Sequence, residues 1–205
     1  MKITKIEKSK HKQERVLVFL EGGDLLRITG HELLQFGLYP GMDLSDELVV
    51  QLAESAGHSE VRARAAQMAS SRMLSKKELT ERLLKKGVAQ DEASDTADWL
   101  EELGAVDDAA YAGVVVRHYA GMGYGAGRVR QELFRRGISR ELWEDAMEQL
   151  PPPEEAIEQF LRSKLKGKSL DRQTGKKLSD ALLRRGFGWS DIRPVLNRMG
   201  EEIDE

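Results

Sequence analysis

Apolar positions in this chain recur at fixed distances from three glycines. The phrases are Leu83-Leu84-Lys85-Lys86-Gly87-Val88, Leu133-Phe134-Arg135-Arg136-Gly137-Ile138 and Leu182-Leu183-Arg184-Arg185-Gly186-Phe187, with the glycines 50 and 49 residues apart. Eight residues before each glycine stand Leu79, Val129 and Leu178; six after, Ala93, Trp143 and Ile192. Ten after come Ala97, Met147 and Leu196, and thirteen after, Leu100, Leu150 and Met199. Apolar character in register over so many positions marks an internal repeat, which decides the fold class before any local reading does. Apolar residues eight, four and three before the glycine put one stripe on a helix of about three turns. Ser75, Gly125 and Thr174, twelve before, are residue types that start helices. Two cations in the last turn suit the negative end of the helix dipole, and a left-handed glycine then ends it.

Each unit is expected to open with a helix of its own. Val61, Ala65, Met68 and Ala69 match Tyr111, Val115, His118 and Tyr119, and Ile157, Phe160, Leu161 and Leu165 supply a similar stripe in the third copy. About three extra residues fall in its loop, Lys166 to Arg172. Asp107-Asp108 and Pro151-Pro152-Pro153 begin the second and third units, where the first turn accepts acid or proline. The pattern before residue 59 is different. Arg15 to Leu20 and Leu25 to Ile28 flank Glu21-Gly22-Gly23-Asp24 as a β-hairpin, and Ile3 to Glu7 adds an edge strand. A short helix His31 to Phe36 opens at Thr29 or Gly30, Tyr39-Pro40-Gly41 is a turn, and Asp46 to Ala56 is a second helix. Gly57-His58-Ser59 reads as the joint to the repeats. The expected architecture is mainly α: an N-terminal hairpin-plus-helix region (1–58), three-helix repeats (59–106, 107–150, 151–199) in an elongated array, and a frayed acidic tail (200–205).

Composition sharpens this picture. Charged residues make up 33% of the 205 positions and aromatics only 6%, which suits solvated helices better than a large sheet. With no cysteine there is neither a disulfide framework nor a thiolate metal site. No apolar run has bilayer length and the N-terminus lacks a secretory hydrophobic region, so the default compartment is the cytoplasm. The net charge of −3 hides a gradient, because residues 162–198 hold 11 basic and 3 acidic side chains. A positive flank on a neutral or acidic body suits an anionic partner, either nucleic acid or an acidic protein surface.

Candidate chemistry is sparse. Gly121-Met122-Gly123-Tyr124-Gly125-Ala126 fits a dinucleotide fingerprint, but the residues before it follow helical spacing and no strand–helix–strand unit surrounds it. Gly167-Lys168-Ser169 imitates the end of a P-loop without the earlier glycine, since position 162 is Arg162. His11, His31, His58 and His118 are scattered, so no metal site is expected, and His118 falls on an apolar stripe as a half-buried core histidine. Trp99, Trp143 and Trp189 are expected in the packing, with Trp189 left in a turn by Gly188. No nucleophile–base set and no cofactor site is apparent, so the chain does not read as an enzyme.

Three features in register resemble the RecX family of regulators of the RecA recombinase. They are the Ser75-led helix ending at Gly87, the stretch Leu103-Gly104-Ala105-Val106-Asp107-Asp108-Ala109-Ala110-Tyr111-Ala112, and Gly127-Arg128-Val129-Arg130-Gln131-Glu132-Leu133-Phe134-Arg135-Arg136-Gly137-Ile138. The resemblance covers about residues 60–199 and implies a curved array of three-helix units. Such a monomer would lie in the groove of the RecA filament on single-stranded DNA, with weak nucleic-acid contact at most. It would block filament extension or promote disassembly, lowering recombinase, ATPase and coprotease activities in DNA repair and the SOS response. The partner-binding candidates are the cations taken as solvent-facing: Arg128, Arg130, Arg135, Arg136, Lys164, Lys166, Lys168, Arg172, Lys176, Lys177, Arg184 and Arg185. Gly87, Gly137 and Gly186 are the structural residues of the repeat. The alternative is a DNA-binding protein of tandem helix-turn-helix units, against which stands the acidic second helix, as in Arg140 to Glu148 and Asp91 to Glu102.

Overall fold

The computed structural model describes residues 1–10, 15–166 and 170–204. Strands β1 (Ile3–Lys8), β2 (Arg15–Leu20) and β3 (Leu25–Thr29) form one antiparallel sheet with β2 in the middle. The alternation of β2 decides which side is covered: Val16, Val18 and Leu20 are buried, against Leu38, Leu44 and Leu52. Gly22 and Gly23 make the β2–β3 turn at positive φ (113° and 97°). Helix α1 (Gly30–Gln35) starts from Thr29, whose side chain and that of Glu32 form a reciprocal capping box.

The next helix corrects the expected layout. Helix α2 runs without a break from Asp46 to Ser71, through Gly57-His58-Ser59. Ser59 does not cap a new helix; its hydroxyl donates to the fully buried carboxylate of Glu32. Leu52 of α2 packs in the sheet core and Ala65 in the next one, so a single rod serves both.

Three helical units follow. The first joins the second half of α2 to α3 (Lys76–Leu84) and α4 (Gln90–Glu102). The second contains α5 (Asp108–Gly121), α6 (Ala126–Arg135), a 3-10 turn Arg140–Leu142 and the short α7 (Trp143–Met147). The third contains α8 (Pro153–Leu165), α9 (Arg172–Arg184) and α10 (Trp189–Asp204). Each has its own core, built on the leucine four before the glycine; Leu83, Leu133 and Leu182 are all fully buried. Gly87, Gly137 and Gly186 adopt φ of 85°, 73° and 87°. In each, the next residue's N–H reaches back to the leucine carbonyl five positions earlier, at 3.2, 3.1 and 3.2 Å. This is the Schellman closure that the sequence pattern calls for.

Smaller corrections concern the ends of helices. Helix α9 begins a turn earlier than expected, because Asp171 rather than Thr174 is its cap and accepts the Thr174 N–H at 2.7 Å. In the C-terminal segment, expected to fray, α10 continues to Asp204. The glycine run at 121–127 belongs to helix ends, with Val114 to Val116 inside α5 and Gly123 at φ 72° as its stop. Gly167-Lys168-Ser169 lies outside the described residues.

The units meet where the middle helices come head to tail. At the first joint the C-terminus of α6 abuts the N-terminus of α3: Ser75 Oγ donates to the Arg136 carbonyl at 2.6 Å. At the second the C-terminus of α9 abuts α6: the Gly125 N–H donates to the Arg185 carbonyl (2.9 Å) and the Gly127 N–H to the Gly186 carbonyl (2.8 Å). Ser75 and Gly125 hold the same repeat position, as do Arg136 and Arg185. Carbonyls left over at one helix end thus satisfy donors of the helix before it. Contact this close needs glycine. A Cβ on Gly186 would lie 2.2 Å from the Arg128 nitrogen, and one on Gly137 2.1 Å from the Lys77 side chain.

Candidate partner-binding face

The twelve expected cations do not share one fate. Arg136 and Arg185, each immediately before its glycine, are not the free surface cations expected; they are half-buried in the joints. Arg136 Nη1 donates to Glu78 Oε1 at 3.0 Å and to the Tyr111 hydroxyl, and its guanidinium lies 5.3 Å from the Tyr111 ring. Tyr111 in turn donates to Glu78 Oε2 at 3.1 Å. Arg185 donates to the carbonyls of Gly123 (3.0 Å) and Met122 (3.2 Å) and sits between the rings of Tyr124 and Phe160 (5.2 and 4.9 Å). The position is the same in both units and the partners are different.

On α6 two more candidates are neutralised. Buried Glu132 holds Arg128 at 2.9 Å and Arg135 at 2.7 Å. Burial alone would push its carboxyl up. Hydrogen bonds from Arg135 and Tyr119 and the charge of Arg128 outweigh that and hold it below its ordinary value. Arg130, one turn before Phe134, is exposed.

Helix α9 carries the strongest positive face. Leu178, Ser179 and Leu182 turn inward, while Arg172, Lys176, Lys177 and Arg184 are exposed. At 100° per residue these four fall in an arc of roughly 140°, which also contains Asp180, the only carboxylate of the helix. Lys164 and Lys166 come from the end of the neighbouring α8. The Lys164 ammonium is 5.8 Å from the Phe160 ring, and Lys166 ends the helix in the left-handed conformation at φ 47°. Lys168 lies outside the described residues. The exposed candidate cations are therefore concentrated on the third unit, with Arg130 and the Glu132-paired Arg135 on the second.

Some residues fall on the other side of the expected boundary. His118 is exposed rather than half-buried, edge-on to Tyr119 at 5.3 Å. Trp99 and Trp143 pack against the cores of their units, and Trp189 is 52% exposed. Sequence reasoning missed Phe134 and Leu183, three before their glycines, which belong to the expected apolar stripe yet stand 66% and 45% exposed. Their neighbours Leu133 and Leu182 take the inward place, whereas on α3 Leu84 is partly buried beside Leu83.

Comparison with known proteins bears on this repeat directly. Residues 107–147 match the family model for the second three-helix domain of RecX. "Regulatory protein RecX" of Lactobacillus delbrueckii subsp. bulgaricus is 29% identical over 99% of this chain and 76% of its own length. That of Caldanaerobacter subterraneus subsp. tengcongensis is 26% identical over 96% and 99%. The chain is similar to RecX regulatory proteins over nearly its whole length. Among solved structures, a regulatory protein RecX superposes with a TM-score of 0.82 at 23% identity, covering 96% of this chain and 98% of that one. RecX from Lactobacillus salivarius gives 0.62 at 23% identity over 72% and 96%. These likenesses give the RecX fold: a small sheet followed by three-helix units. Among the described residues no helix is long and apolar enough to cross a membrane.

Proposed function

We propose that this protein is a non-enzymatic regulator that binds the RecA filament on single-stranded DNA. It lowers recombinase, ATPase and coprotease activities by blocking filament extension or promoting disassembly. The observation that carries the reading is the head-to-tail joint, made at the same repeat position twice. Units added by one repeated joint generate a regular track, the form suited to a partner that itself repeats along a line. The basic arc of α9 supplies attraction to acidic protein groups, with weak phosphate contact as a secondary term. Relatives named regulatory protein RecX support the regulatory role. The working unit is a cytoplasmic monomer of an N-terminal sheet region and three helical units, a division the four separate cores support, with α2 shared by the first two.

The triple variant Arg172→Glu, Lys176→Glu, Lys177→Glu tests the reading. All three side chains are exposed, so the circular dichroism melt should match wild type while inhibition of RecA-driven ATP hydrolysis weakens by about tenfold or more. Undiminished inhibition by the folded triple variant removes this face from the mechanism.

A further inference from the structure

We propose that Phe134 and Leu183 are equivalent apolar anchor points for a protein polymer, each seating in an apolar notch edged by carboxylates on successive subunits. The inference rests on the regulator reading above and names the residues and the partner surface it implies. Both side chains stand three before the repeat glycine, on α6 and α9. Exposure at this position is not forced by the fold, because Leu84, its counterpart on α3, is partly buried against its own core. Units two and three instead turn a large apolar group outward, at 66% and 45% exposure.

The joints place these groups relative to each other. Ser75 meets Arg136 as Gly125 meets Arg185, so both joints fall at the same repeat position. Phe134 and Leu183 likewise hold one repeat position on successive units. Each has a polar, mainly cationic rim. Arg130 and Gln131 lie one helical turn before Phe134, and Arg135, paired with Glu132, beside it; Asp180 lies one turn and Lys176 two turns before Leu183, and Arg184 beside it. An apolar centre in a charged rim is the usual build of an interface hot spot.

The same features select the occupant. A nucleic acid would stack bases on Phe134, but Leu183 offers no π face for the next one. A second copy of this chain would bring cation against cation. A protein surface with carboxylates around an apolar recess fits both points, and a repeated one engages them together.

The test uses the full chain with Phe134→Ala, Leu183→Ala and the double variant. Binding is measured by co-sedimentation with RecA assembled on single-stranded DNA, and separately by titration of bare single-stranded DNA. Each single change should weaken filament binding about tenfold and the pair about a hundredfold or more. Bare-DNA affinity, melting temperature and sedimentation coefficient should stay at wild-type values, and Phe134→Leu should retain binding. Filament binding unchanged in the double variant overturns the proposal. A parallel loss on bare DNA assigns the residues to nucleic acid and also overturns it, as does a wild-type dimer that the double variant abolishes. Wild-type protein that fails to bind filaments at all overturns the regulator reading, and this inference with it.

Discussion

The two joints between helical units occupy the same repeat position and are held by different chemistry. The first uses side chains: the Ser75 hydroxyl, the Asp108 carboxylate on the Lys76 N–H (2.9 Å), and the Glu78–Arg136–Tyr111 cluster. The second uses backbone, with Gly125 and Gly127 donating to the carbonyls of Arg185 and Gly186, and Arg185 gripping two more carbonyls without a carboxylate partner among the described residues. The placement of units is therefore set by helix ends and a glycine that allows contact. Side chains only decide how each contact is secured.

Breaking the backbone joint should have the largest effect. Gly186→Ala combines a left-handed alanine with a Cβ that collides with the Arg128 nitrogen, and is expected to cost at least about 3 kcal/mol. Gly87→Ala has the same φ but open space around it, so it should cost only about 1–2 kcal/mol. Thermal melts rank the two, and hydrogen exchange in α8 to α10 should rise only for Gly186→Ala. Equal effects would mean that the second joint contributes nothing.

Glu78→Ala comes next, against the side-chain joint. It removes half of the α3 capping box and the counter-charge of a half-buried Arg136, an expected loss of about 2–3 kcal/mol. Faster exchange should appear in α3 and α5 while α9 and α10 remain protected.

The smallest predicted effect concerns acid. Glu132 holds Arg128, the residue against which Gly186 packs, and its carboxyl lies below the ordinary value of 4.5. Its contribution is present above pH 4.5 and is lost as pH falls through the lower folded-state value. Asp108 at the first joint has the opposite sign: burial raises its carboxyl despite the Lys76 N–H, so protonation favours the folded state there. Glu132→Gln should lower the melting temperature at pH 7 by the equivalent of about 1 kcal/mol. The gap to wild type should close as pH falls below 4.5 and the wild-type carboxyl takes up its proton. A gap independent of pH would show that the pairing is not what stabilises this corner.

Much of the fold was legible because its determinants are local. A left-handed stop after an apolar stripe is written in adjacent residues, and so is a glycine turn between strands. What escaped depends on partners distant in sequence. Gly57 and Ser59 read as a break, since glycine disfavours helix and serine favours its start. The hydroxyl is instead engaged by Glu32, 27 positions earlier, and packing on both sides keeps α2 whole. The paired cations before each glycine look alike in sequence, yet Arg135 and Arg184 are exposed and Arg136 and Arg185 enter the joints. Only the arrangement of one unit on another separates them. For the same reason Phe134 could not be told from Leu133.

Helix α2 spans about 39 Å at 1.5 Å per residue and is clamped in a core near either end. It makes the sheet and the first helical unit a stiff handle, whereas the units beyond are joined to it through helix ends. When a partner's pitch changes, the handle should keep its shape and the adjustment should fall on the two hinges downstream, where a few degrees at each alter the reach of the far end most.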